Sequence, residues 1–240
     1  MYVAVSRPDE LSERSIDELA EWMVGEIEEG IDDTGVRAGQ IGELGITDLD
    51  AADQRLLRAA VRAADRTGTS ISIHPGFVDG CDGRAIADVL EDEGGVPERI
   101  VIGHGDAFFV ESSLERLVDD PGSWGLRLDY HRELLARGYN LTVDCFGHDW
   151  GREDEGWVIE TDWQRLAGLV ALIGEGYADQ LALGCDVFTR SLHRRGGGAG
   201  YRYLLDWVLP RLRERGVDES TIEKLTVTNP ARILAREVPA

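Results

Sequence analysis

Ser70-Ile71-Ser72-Ile73-His74 and Arg99-Ile100-Val101-Ile102-Gly103-His104 decide how this chain reads. Each is an apolar run too short for a helix, and each stops at a histidine. Such runs fit strands of a parallel sheet covered on both faces. Working outward, the same unit recurs. Ser15 to Glu29 places Ile16, Leu19, Ala20, Met23 and Ile27 on one face of a helix that Ser12 or Ser15 can cap. Val36 to Gly45 is a short, glycine-punctuated strand segment with Glu43 at its end. Helices are expected over Asp50 to Thr67 and Ala85 to Asp92, then over Glu111 to Asp119 and Asp129 to Arg137. Asn140 to Val143 is a strand ending at Asp144. Trp163 to Glu175 is a helix, and Gln180 to Gly184 a strand reaching Cys185 and Asp186. Tyr201 to Arg215 and Glu219 to Lys224 are helical, Leu225 to Thr228 extended, and Pro230 opens a last helix. Five strands alternating with helices imply right-handed parallel βαβ units in an α/β fold, either a barrel or an open sheet.

The 240 residues fit one domain, 1–240. No stretch approaches the roughly 20 apolar residues of a membrane span, and the first residues lack a basic-then-apolar leader, so a cytoplasmic protein is expected. A formal charge of -21 works against nucleic acid and anionic membrane surfaces as partners. Of the 25 basic residues only Lys224 is a lysine, leaving 24 arginines. With the acidic excess this is the composition expected of a halophilic protein. Cys81, Cys145 and Cys185 show no paired spacing and read as reduced thiols.

Four of the five strands end in a residue able to bind a divalent metal: Glu43, His74, His104 and Asp186. In parallel barrels the C-terminal strand ends converge on one mouth, where active sites lie. Taken singly, a histidine after a strand is more often a hydrogen-bonded core residue. Four candidates at equivalent positions favour a metal site, and a set of imidazoles with carboxylates suits zinc, manganese or iron.

The runs Gly35-Val36-Arg37-Ala38-Gly39-Gln40-Ile41-Gly42-Glu43, Ile73-His74-Pro75-Gly76, Ile102-Gly103-His104-Gly105-Asp106, Leu183-Gly184-Cys185-Asp186-Val187-Phe188 and Val227-Thr228-Asn229-Pro230-Ala231-Arg232 resemble those of the phosphotriesterase family of the amidohydrolase superfamily. Gly197-Gly198-Ala199-Gly200-Tyr201 resembles it as well. The resemblance implies a TIM-type (β/α) barrel and a metal-dependent hydrolase of phosphotriesters or lactones that uses a hydroxide held by the metal. It implies one or two divalent ions, zinc first, with Glu43 bridging where many relatives carry a carbamylated lysine. His74 and His104 would hold one ion, and Asp186 the other while acting as general base. Relatives begin with a strand carrying His-x-His, and no such pair occurs here. The chain therefore reads as an incomplete barrel whose strands match the last five of eight, lacking two ligands of a second ion.

Asp144, His148 and Arg190 are the candidate substrate contacts; a solvated acid, a surface-loop histidine and a solvated arginine are their plainer readings. Arg194 and Arg195 could attract an anionic substrate together with Arg190. His131 reads as exposed in a charged helix, Cys185 as a buried thiol, and the six tryptophans as core and pocket wall. Three readings compete. A small-molecule ester hydrolase leads, open to homo-oligomerisation. A truncated inactive remnant, or a subunit completed by a partner, is the second. A TatD-type deoxyribonuclease is third, disfavoured by the charge and by the Thr-Asn-Pro-Ala-Arg ending.

Overall fold

The computed structural model describes residues 13–77, 80–111, 113–148 and 160–236. In chain order its main elements are α1 (Ile16–Glu28), β1 (Ile41–Gly45), α2 (Ala51–Thr67), β2 (Ile71–His74), α3 (Gly83–Asp92) and β3 (Ile100–Ile102). There follow α4 (Leu114–Asp119), α5 (Asp129–Ala136), β4 (Asn140–Val143), α6 (Asp162–Gly174), β5 (Leu181–Leu183), α7 (Leu209–Glu214), α8 (Glu219–Glu223) and α9 (Asn229–Leu234). Strand order in the sheet is β1-β2-β3-β4-β5, the order that successive βα units produce. This is the expected α/β class, with five strands of the (β/α) barrel type. No helix of the described residues is long and apolar enough to cross a membrane.

Of the described residues, 13–77, 80–103, 137–140 and 231–236 belong to one compact unit. Here the capping box is the one the sequence announces: the Ser15 hydroxyl accepts from the Glu18 amide, and the Glu18 carboxylate accepts from the Ser15 amide. Leu19, Ala20, Met23 and Ile27 are the buried face of α1, which packs on α2. Arg62 and Arg66 of α2 reach back to Asp17 and Glu21 of α1. Beneath them Ile41, Leu44, Ile71, Ile73, Ile100 and Ile102 form the strand core, with β1–β2 and β2–β3 paired in parallel. At the start of β4 the Asn140 amide donates to the carbonyls of Glu98 and Ile100, and Arg232 donates to the Asn140 side-chain oxygen.

Described residues 104–111, 113–136, 141–148 and 160–230 belong to the second unit. Leu134, Leu135, Leu141, Val143, Leu166, Leu169, Leu172 and Leu181 are buried in it. A Cβ on Gly168 of α6 would lie 2.5 Å from the Phe109 ring, so only glycine allows that approach. Asn229 donates to the carbonyls of Ala178 and Leu181 at the start of β5. Arg232 and Asn229 of the Asn-Pro-Ala-Arg signature thus secure the N-terminal ends of β4 and β5, and β5 bears Asp186 beyond its other end.

Two expectations need correction. Leu225 to Thr228 is not extended: Lys224–Thr228 is a π-helical turn. The β-branched Thr226, Val227 and Thr228 favour a strand, but Ile222, Leu225 and Asn229 are buried at helical spacing, and the Thr226 hydroxyl donates back to the Ile222 carbonyl. The helix after Tyr201 likewise begins with a π-helical turn, Leu204–Val208. Not all tryptophans are core either, since Trp124 and Trp163 are largely exposed, Trp163 lying edge-on to Trp207; Trp150 and Trp157 lie outside the described residues.

Candidate metal centre

In the first unit β1 pairs Ile41 with Ile71 but Leu44 with Ile73, so β1 carries one residue more than β2 over that span. This bulge turns Ile41 and Leu44 both into the core and leaves Glu43 outside it. The loop after β1 is shaped by the buried carboxylate of Asp53, whose Oδ2 accepts from the amides of Thr47, Asp48 and Leu49. His74 ends β2, half-buried, edge-on to Phe77 with ring centroids 5.4 Å apart. Ligand atoms of Glu43 and His74 lie within 4.8 Å of each other. Two of the expected donors therefore meet at the C-terminal end of β1 and β2.

In the second unit His104 follows β3 in the left-handed backbone region, φ 51°, and is buried. Its Nδ1 lies 2.7 Å from Asp144 Oδ1, and its backbone amide donates to Asp144 Oδ2 at 3.2 Å. The Thr142 hydroxyl donates to the same carboxylate. Burial works to raise the Asp144 carboxyl, but the His104 ring and these hydrogen bonds outweigh it and hold the group below the ordinary carboxylate range. An ionised Asp144 accepts a hydrogen bond from Nδ1–H, which keeps the proton on Nδ1 and leaves the imidazole lone pair on Nε2, the tautomer a metal ligand needs. Asp144, expected as a substrate contact or a solvated acid, is the residue that orients His104.

Asp186 follows β5, half-buried and also left-handed, φ 35°. Burial pushes its carboxyl up, the Asp144 charge adds to this, and His104 and His148 oppose it. Ligand atoms of His104, Cys145 and Asp186 lie within 4.8 Å of one another. Burial pushes the Cys145 thiol above its ordinary value. An imidazole nitrogen beside a carboxylate, in a pocket with Asp144 also ionised, is a donor set that fits a divalent cation of the zinc type.

Behind these donors lies a support that the sequence reading missed. Asp106, fully buried, accepts from the amides of Asp144 and Cys145 and from Arg165 Nε at 2.9 Å. Arg165 is 0% exposed; its Nη1 also donates to the His148 carbonyl and to Asp162, which in turn accepts from the Gly147 amide. Its signal was available: a charge at position 165 sits beside Leu166 and Leu169 on the buried face of α6.

Two further histidines, His148 and His131, correct their plainer readings. His148 is no surface residue; it is buried, and its Nε2–H donates to the carbonyls of Cys185 and Asp186 at 3.0 and 3.1 Å. His131, expected to be exposed, is 0% exposed; its Nε2–H donates to the Gly105 carbonyl at 2.6 Å and its ring stacks on Phe109. Burial brings the His131 ring down from 6.5 to about 4. Below pH 6.5 the unfolded chain binds this proton and the fold does not, so the contribution is complete above pH 6.5 and is lost as pH falls through 4. The stability of the wild type relative to His131→Gln should drop by about 3 kcal/mol between pH 7 and pH 4, measured by urea unfolding. Parallel profiles for the two proteins would contradict it. Glu160, pushed up to about 7 by burial, has the opposite slope and cancels in the difference.

Arg190 is exposed on the loop after β5 and donates nothing to this cluster among the described contacts. A sequence profile of the Phosphotriesterase family matches residues 1–234. The N-acetyltaurine hydrolase of Salmo salar is 28% identical over 243 residues, covering 97% of this chain and 63% of the relative. A solved structure of a resiniferatoxin-binding protein from Rhodobacter sphaeroides superposes with a TM-score of 0.83 at 33% identity, covering 97% of this chain and 61% of that one. The phosphotriesterase homology protein from Escherichia coli, complexed with phosphate in its active site, superposes with a TM-score of 0.79 at 27% identity, covering 98% of this chain and 72% of that one. The chain spans about three fifths of the length of the curated relatives it matches here.

Proposed function

Since the chain belongs to the phosphotriesterase family, we propose that it is a metal-dependent hydrolase in which Glu43 and His74 of the first unit, and His104 and Asp186 of the second, are ligands for divalent metal, zinc first. The observation that carries this reading is the His104–Asp144 pair: a buried imidazole oriented by an ionised carboxylate, with Asp186 at ligand distance from it. The pairing of Glu43 with His74 at their own strand ends supports it.

A bound divalent cation supplies Lewis acidity toward water and toward the scissile phosphoryl or carbonyl oxygen. The residues do the rest. Asp144 fixes the tautomer of His104 and the direction of its ring. Asp186, whose carboxyl is pushed up by burial, accepts the proton of the attacking water and passes it to the leaving group. Asp106 and Arg165 hold the backbone that carries Asp144, so that no reorganisation is needed as charge develops. The substrate is a small-molecule ester, either a phosphotriester or a lactone. A carboxamide is the second reading, favoured by the several relatives named N-acetyltaurine hydrolase.

Metal content and turnover test this together. The purified chain should carry at least one zinc-like ion, hydrolyse paraoxon or a lactone, and lose both ion and turnover on dialysis against a chelator, with turnover returning on addition of Zn. Turnover indifferent to chelation, or a chain that takes up no divalent ion, would refute the proposal.

A further inference from the structure

Beyond β5 the loop that follows Asp186 doubles back on itself around an open basin of about 600 Å³, lined by Arg190, Arg194, Arg195, Arg202, His193 and Tyr201. The loop is built rather than draped. A Cβ on Gly196 would lie 1.9 Å from the Arg190 carbonyl oxygen, and one on Gly198 would lie 2.4 Å from the carbonyl oxygens of Ser191 and Leu192. Only glycine permits these approaches. The Gly198 and Gly200 amides close the loop on the carbonyls of His193 and Leu192. Tyr201 packs edge-on to His193, and its hydroxyl donates to the carbonyl of Val187, the residue next to Asp186. The basin is thus tied to the segment that carries the candidate general base.

Its charge runs against the rest of the chain. Elsewhere arginines such as Arg62, Arg66, Arg132, Arg137 and Arg213 are each matched by carboxylates. In the basin four guanidinium groups share one carboxylate, Asp206, which Arg202 meets at 3.0 Å and Arg194 at 3.6 Å. Arg190 and Arg195 have no carboxylate partner among the described residues. On a chain of net charge -21, a local excess of positive charge is selective for an anion that the remaining surface repels. Planar guanidinium forks suit oxyanions in particular.

We infer that this basin receives an anionic end of the substrate, a carboxylate, sulfonate or phosphate-type oxyanion carried a few bonds away from the scissile group. The inference rests on the hydrolase reading for the word substrate, and on the basin alone for the anion. Two measurements separate the two. The first is calorimetric titration of the metal-loaded chain with ethanesulfonate at low salt, a sulfonate being a poor metal ligand, so that binding reports on the arginines. The second is the ratio of kcat/KM for phenyl 3-sulfopropanoate to that for phenyl butanoate, esters of matched shape that differ in charge. In the Arg190→Gln/Arg195→Gln variant, ethanesulfonate affinity and this ratio should both fall about tenfold. The control Arg215→Gln, which removes a positive charge outside the basin, should change neither. Unchanged affinity in the double variant overturns the anion site. Affinity lost with the ratio unmoved overturns the assignment to substrate. Hydrolysis of neither ester would sink the hydrolase reading alone, because the titration decides the anion site without turnover.

Discussion

Asp186→Asn should lower kcat for ester hydrolysis roughly a thousandfold while leaving the fold intact and part of the metal bound. Asparagine is the informative replacement because of the backbone. Residue 186 has φ 35°, a conformation that Asn and Asp tolerate far better than other side chains. The carbonyl that accepts from the His148 ring is unchanged by the substitution, so the packing around His148 survives. What disappears is one negative charge and the ability to take a proton. The other proposed donors, Glu43, His74 and His104, are untouched, so metal content should fall by less than activity. Turnover within about threefold of wild type would remove Asp186 from the chemistry, whereas complete loss of metal with loss of turnover would reduce it to a ligand.

Arg165→Met should cost about 3–5 kcal/mol of stability in urea unfolding, because it leaves the wholly buried Asp106 with two backbone amides and no counter-charge. Methionine fills much of the volume, which separates the loss of charge from the loss of packing. The double variant Arg165→Met/Asp106→Asn should recover part of the loss, since the uncompensated charge is then gone. Where the single variant remains folded, activity should fall as well, because Asp106 holds the amides of Asp144 and Cys145. A cost below about 1 kcal/mol would mean that the pair is not a clamp.

Much of the fold was legible because its signals are periodic or local. Ser15 followed by Glu18 caps α1, and short apolar runs that stop at His74 and His104 mark β2 and β3. The donors were legible because they follow strands at equivalent positions. Their supports were not. Asp144 looked like a loop acid, and its role depends on β3 and β4 being consecutive, so that the residues just beyond them meet. His131 was hidden by its charged neighbours Asp129, Arg132 and Glu133, although residues 130, 131, 134 and 135 are the buried stripe of α5. His148 lies in an irregular loop, where no period exists to say which way a side chain turns. Arg165 shows the general reason: a buried charge is meaningful only through partners distant in sequence, here 59 residues away at Asp106.

His148 is gripped at both of its ends, its carbonyl by Arg165 and its ring by the carbonyls of Cys185 and Asp186. The segments that follow β4 and β5 are therefore riveted into one panel. Neither can swing out alone without stranding a polar group in the interior, so breathing at this rim is a concerted event and hydrogen–deuterium exchange of the two segments should proceed in step.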